Sequence, residues 1–206
     1  MRTIFFFIAF FIQLCSLQAQ SLWSKFTKLS RPEKCWAFAH PFVAGKAFHV
    51  TIQTYAVTDS IKKTGSIGTD NSGGKLDAFK HAYWIASVTA SIGSRKALKL
   101  GKAHEKGNKL QFKKHQLEDK ELPDSISSCM DLYNNEQGAK TAKEHPDHTF
   151  QQLQKEILKK LANGQLKCIR KDQQGNFLTC AGTIIHKEEE FGKWNVPKCL
   201  IASNEN

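Results

Sequence analysis

The alternation of apolar and polar positions along the chain follows a helical period over most of its length. One stretch goes beyond an ordinary amphipathic stripe. Leu76 to Ile92, LDAFKHAYWIASVTASI, is apolar nearly all round, yet it carries Asp77 and His81 one turn apart. At about 100° per residue, Asp77, His81, Trp84 and Val88 share one side of this helix. A solvent-facing stripe would continue as charges, whereas this one continues as apolar bulk. The two polar groups therefore point inward or into a cleft. Left unpaired there, each would cost roughly 1–3 kcal/mol, so partners must come from elsewhere in the chain.

The flanking pattern supplies further helices. Ser30-Arg31-Pro32-Glu33 has the spacing of a capping box and opens a short helix that breaks at His40-Pro41. Phe42, Phe48, Ile52, Tyr55 and Ile61 recur near helical spacing and predict a second helix to about Lys62. Gly65 to Gly74, GSIGTDNSGG, is a turn-rich loop, either a plain connection or a lid. Gly93-Ser94 breaks the central helix, and Gly107-Asn108 marks the end of the next. Residues 109–124 read as an exposed loop. A helix from Ser125 to about His145 carries Asp131, Asn134 and Asn135 on one face; Ser128 lies three residues before Asp131, the spacing at which Asp131 would merely complete a cap. Thr149 and Gln152 form another capping box, followed by Phe150, Leu153, Ile157, Leu158 and Leu161 to a stop at Asn163-Gly164.

The period then changes to that of a strand. Residues 165–172 and 176–185 read as a β-hairpin around Gln173-Gln174-Gly175. With residue 172 facing 176, Cys168 falls opposite Cys180, which predicts a cross-strand disulfide. The fold class is mainly α: a single-domain bundle of five or six helices with a C-terminal β-hairpin over residues 31–186. A lead-in covers residues 20–30 and a polar tail covers 187–206.

Residues 1–19 read as a signal peptide, with Arg2 as the basic start and Ile4 to Leu14 as an apolar run too short to span a bilayer comfortably. Cleavage near Ala19 would leave no transmembrane helix and place the protein in the periplasm, at the cell surface or in the medium. The full chain has 30 Lys and Arg against 19 Asp and Glu, a net charge of +11. A cationic exported protein is drawn to an anionic polymer or cell-envelope component. The lysines are spread along the sequence, which favours a solubilising surface for most of them. The sequence has no specific nucleic-acid motif and leaves the oligomeric state open. No cysteine or histidine spacing resembles a structural zinc site, no HExxH is present, and no glycine-rich loop has phosphate-cradling spacing.

Carboxylate, imidazole and amide remain, on three helices: Asp77, Lys80 and His81; His104 and Glu105; Asp131, Asn134 and Asn135. Three uses fit. A divalent metal held by His81, Asp131 and either Glu105 or His104, with Asp77 or Asn135 behind them, would activate water against a phosphodiester or another bond of an anionic polymer. Without a metal, Glu105 would be the acid/base of a peptidoglycan-active glycosidase, with Asp131 or Asp77 as second carboxylate. As a purely structural network, the same groups would pin the helices of a non-catalytic envelope protein.

DAFKHAYW, AHE and MDLYNNEQG, in this order, resemble the signature of an uncharacterised bacterial domain family with the patterns DAxRHAxW, AHE and MDLxNNxxG. The lead-in Trp36 to Phe42 is also similar, and the resemblance covers about residues 33–172. It implies that Asp77, His81, Trp84, His104, Glu105, Asp131, Asn134, Asn135 and Gly138 are the matching positions. Lys80 and Ala139 stand where that pattern usually has arginine, so any anion-binding role of those arginines would pass to Lys80 and Lys140. The resemblance implies a site and no particular reaction.

Overall fold

The structure, a computed structural model, describes residues 24, 26–117, 121–186, 188 and 191–205. The expected leader at 1–19 lies outside the described residues. The elements run α1 (Arg31–Ala39), α2 (Pro41–Thr64), α3 (Lys75–Ile92), α4 (Ser94–Lys113), α5 (Ser125–Glu144), α6 (Phe150–Ala162), β1 (Lys167–Ile169) and β2 (Leu200–Ala202). The class is mainly α with a C-terminal two-stranded antiparallel sheet, as the periodicity predicts.

The boundaries follow local chemistry. Both expected capping boxes form, Ser30 with Glu33 and Thr149 with Gln152. Asp124 opens α5 by accepting from the backbone N–H groups of Ile126 and Ser127. That cap leaves Asp131 nearly two turns inside the helix, so it is not an N-terminal capping residue. Gly107 and Asn108 do not end α4, which continues to Lys113. The glycine serves a close approach instead: a Cβ there would meet Ser30 Oγ at 2.5 Å. Asn108 is buried and donates to Glu105 Oε2 at 3.3 Å.

Helix α3 is the axis of the molecule, buried on nearly every face as its composition requires. One apolar cluster joins Leu76, Phe79, Ala82 and Tyr83 to Leu153, Ile157 and Leu161 of α6. A second joins Trp84, Ile85 and Val88 to Trp36, Val50 and Leu100 from α1, α2 and α4. The indole donors are satisfied: Trp84 Nε1 donates to Thr51 Oγ1 at 2.8 Å, and Trp36 Nε1 to the Lys96 carbonyl at 3.1 Å. Helix α5 crosses α3 at Gly138, where a Cβ would lie 2.0 Å from the Ala82 carbonyl oxygen. No larger residue fits that crossing without parting the helices.

The C-terminal region departs from the simple hairpin. The turn at 173–175 forms, with Asp172 N–H donating to the Asn176 carbonyl and a bridge between Lys171 and Phe177. The returning segment then turns again, bridging Leu178 to Ile184, and does not extend the ladder to Cys168. The partner of β1 is β2, from the segment expected to be a polar tail, with Cys168 opposite Ile201. The expected Cys168–Cys180 disulfide is therefore replaced. Cys180 bonds Cys199, and Cys168 is a buried thiol. The same segment is anchored by a buried ion pair, Lys198 Nζ to Asp124 Oδ2 at 2.8 Å. The Lys198 ammonium also lies 3.5 Å from the centre of the Phe177 ring.

Candidate functional site

Asp77 sits in the first turn of α3, where the helix dipole favours a negative charge. His81 follows one turn on, and the Gly138 crossing brings Asp131 of α5 against it. His81 Nε2 is 3.5 Å from Asp77 Oδ1 and 3.4 Å from Asp131 Oδ1, and all three side chains are buried. One ligand atom from each lies within 4.8 Å of the others. Asp77 is held from two sides: the Gly73 N–H donates to Oδ2 at 2.8 Å, and Lys80 Nζ pairs with Oδ1 at 2.8 Å.

Burial pushes the His81 imidazolium well below the usual range, and the neighbouring Lys80 and His104 charges act in the same direction. Contact with the Asn135 amide opposes them without prevailing. Burial thus favours the neutral form of His81, which stands between two carboxylates.

These groups open into a narrow cleft of about 30 Å³, lined by Ser72, Asp77, Lys80, His81, Glu121 and Asp131 among others. That is room for an ion or one to two waters, not for a sugar or a nucleotide. The loop leading into α3 forms part of the rim and is tied down. Lys171 Nζ bonds Asp70 Oδ2 and the Ser72 carbonyl, both at 2.7 Å, and Ile169 N–H bonds the Gly73 carbonyl at 2.7 Å. Of the two readings of GSIGTDNSGG, these contacts fit the connection.

The remaining candidates separate by position. His104 Nδ1 pairs with Glu33 Oε1 at 3.0 Å, and its ring centre is 6.0 Å from that of His81. It stands behind the cleft and outside the ligand-distance group. Glu105 is buried beside Asn108 and does not line the cleft. Asn135 is buried with no hydrogen bond to its amide among the described residues, whereas Asn134 faces away, accepting from the Lys167 N–H at 2.9 Å and donating to the Lys167 carbonyl at 3.0 Å. Asn134 thereby acts as a further strand partner for β1. Sequence reading did not connect Glu33 with His104, because 71 positions separate them and the capping-box spacing already explained the carboxylate. Burial acts to raise the Glu33 pKa, but the His104 hydrogen bond and charge, with the Ser30 contacts, hold it at about 2.

A family model described as Domain of unknown function (DUF6973) matches residues 34–165. The chain belongs to this family. The DUF6973 span holds α3, α4 and α5 whole, and with them every residue of the cleft triad. It ends before β1, so the sheet and the Cys180–Cys199 disulfide lie outside it, as does Glu33 by one position. No curated protein and no solved structure matches the chain.

Proposed function

We propose that Asp77, His81 and Asp131 hold one divalent metal ion, and that the protein is a metal-dependent hydrolase acting on a phosphodiester or a related bond of an anionic polymer. The spacing of the triad carries this reading. Donor atoms about 2.1 Å from a tetrahedral ion stand about 3.4 Å from one another. The two His81–carboxylate separations are 3.5 and 3.4 Å. A hydrogen bond from Nε2 to either oxygen would prefer about 2.9 Å. Three protein ligands facing a solvent-sized space leave a coordination position for water, the arrangement of catalytic rather than structural sites. The neutral imidazole is the form that ligates, and burial favours that form.

Lys80 gives the site its charge logic. In the metal-free state its ammonium occupies Asp77 Oδ1, the oxygen nearest His81. A dication held there would compete with Lys80 for that oxygen, and Lys80, at the rim, would lie near an anionic substrate. Because the cleft admits only an ion and water, the polymer lies across the mouth.

An extracytoplasmic location accords with the Cys180–Cys199 disulfide, and the mature chain would then begin at Gln20. Elemental analysis of the purified protein tests the metal reading. About one equivalent of zinc, manganese or calcium supports it; a metal-free protein whose melting is insensitive to all three ions contradicts it.

A further inference from the structure

Six of the 30 Lys and Arg residues that are scattered in the sequence are aligned by α4 into one ridge. Arg95, Lys99, Lys102, Lys106, Lys109 and Lys113 recur at intervals of three and four along α4. At about 100° per residue they fall within roughly 80° of one another, over about 27 Å of helix. All six are exposed, while the sole acidic residue of α4, Glu105, is buried on the inner side. No ion pair among the described residues engages any of the six. At one end, Arg95 and Lys99 line an open hollow of about 500 Å³ with His40 and Lys96. At the other end the ridge meets aromatic rings. Lys109 Nζ lies 5.2 Å from the centre of Trp194, and the exposed Phe191 stacks on His115 at 5.6 Å.

We infer that this ridge binds single-stranded nucleic acid, with the backbone phosphates along α4 and bases stacked at Phe191 and Trp194. A row of cations with no ion pair among the described residues places like charges about 5 Å apart along the axis, which disfavours the bare protein and is relieved by a polyanion. An exposed ring at Phe191, with the half-buried Trp194 close to the cationic track, suits bases, each of which offers a π-face. A membrane surface fits less well, because the apolar side of α4 is spent on the core and cannot insert. The binding is electrostatic and sequence-independent, which agrees with the lack of a recognition motif. It needs neither a metal nor turnover, so it stands apart from the reading of the Asp77–His81–Asp131 cleft.

The test is fluorescence anisotropy with the full mature chain in EDTA, using a labelled oligothymidylate of about 16 nucleotides, the upper range for one binding fold. The expected slope of log affinity against log salt is about −4 for six contacts, at about −0.7 per phosphate. K99Q/K102Q/K106Q/K109Q should weaken binding at least about tenfold and reduce the slope to about −1.4 with two contacts left. These side chains are exposed, so an unchanged melting temperature shows that the fold is retained. F191A should weaken oligothymidylate binding while leaving binding of inorganic polyphosphate unchanged. Undiminished binding by the quadruple variant overturns the proposal. So does equal loss of both ligands in F191A, or binding to anionic phospholipid vesicles with no binding to the oligonucleotide.

Discussion

His81 Nε2 stands 3.4 Å from Asp131 Oδ1, although the two residues are carried by different helices and separated by 50 positions in the chain. Their meeting depends on the α3–α5 crossing, where Gly138 lies against the Ala82 carbonyl. Gly138→Ala should therefore do two things at once. Overpacking at a well-filled contact costs about 1–3 kcal/mol or more. The forced separation also moves Asp131 away from His81. The variant should melt lower and bind metal at least about tenfold more weakly, measured by calorimetry on the fraction that remains folded. Full metal affinity in a destabilised Gly138→Ala would mean that the crossing does not set the site.

Lys80 separates a metal site from a purely structural cluster. In a structural cluster its ion pair with Asp77 balances buried charge, and Lys80→Gln should lower stability with no metal effect. In a metal site the lysine competes with the ion for Asp77 Oδ1, so Lys80→Gln should bind metal more tightly while hydrolysing an anionic substrate more slowly. Parallel metal titrations and melting curves of the variant and the parent protein distinguish the two.

The acid limb of stability has a definite source. The Glu33 pKa is lowered from 4.5 to about 2 in the folded protein. A depressed carboxyl pKa contributes stability that is fully present above the unfolded value and lost as pH falls through the folded one. The contribution should be on the order of 2 kcal/mol after allowance for partial exposure, and should disappear between about pH 4.5 and 2. Glu33→Gln should flatten denaturant-measured stability across that window. His81 acts in the same direction at higher pH. Its imidazolium is favoured in the unfolded chain, so stability falls as pH drops below 6.5, and His81→Asn should remove that part.

Cysteine chemistry tests the corrected pairing. Iodoacetamide on the native protein should label Cys35 and Cys129, which are exposed thiols, and spare Cys168. Cys168 is protected both by its position and because burial pushes its pKa up to about 12. Cys199→Ser should cost about 3 kcal/mol for the loss of a loop closed over 19 residues, whereas Cys168→Ser should leave the disulfide intact. Peptide mapping that finds Cys168 oxidised would contradict the pairing.

The helical part of the fold was legible because each signal was local. Capping boxes at Ser30 and Thr149, the break at His40-Pro41 and the stop at Asn163-Gly164 all act within one turn. The failures arose where a residue answered a distant neighbour. Gly107 reads as a helix end by local rules, but it is small because Ser30 packs on it. Cys168 faces Cys180 only if the hairpin runs on, and the strand that displaces it comes from residues 200–202. The site was half legible. Asp77, His81 and Asp131 stood out as polar groups on apolar or shared faces. The selection among their neighbours was not visible, because the directions of Asn134, His104 and Glu105 depend on how three helices are rotated against one another. The α4 ridge shows the converse: lysines that look dispersed in a linear chain line up once the helix continues past Gly107.

The most direct test of the metal reading is isothermal titration of the chelator-stripped protein with zinc and with manganese, run beside Asp131→Asn. One ion per chain is expected for the parent protein, with at least about a hundredfold loss of affinity in Asp131→Asn and a melting temperature that rises with metal in the parent alone. No heat of binding for either ion, or the same affinity in Asp131→Asn, would contradict a metal centre at Asp77, His81 and Asp131.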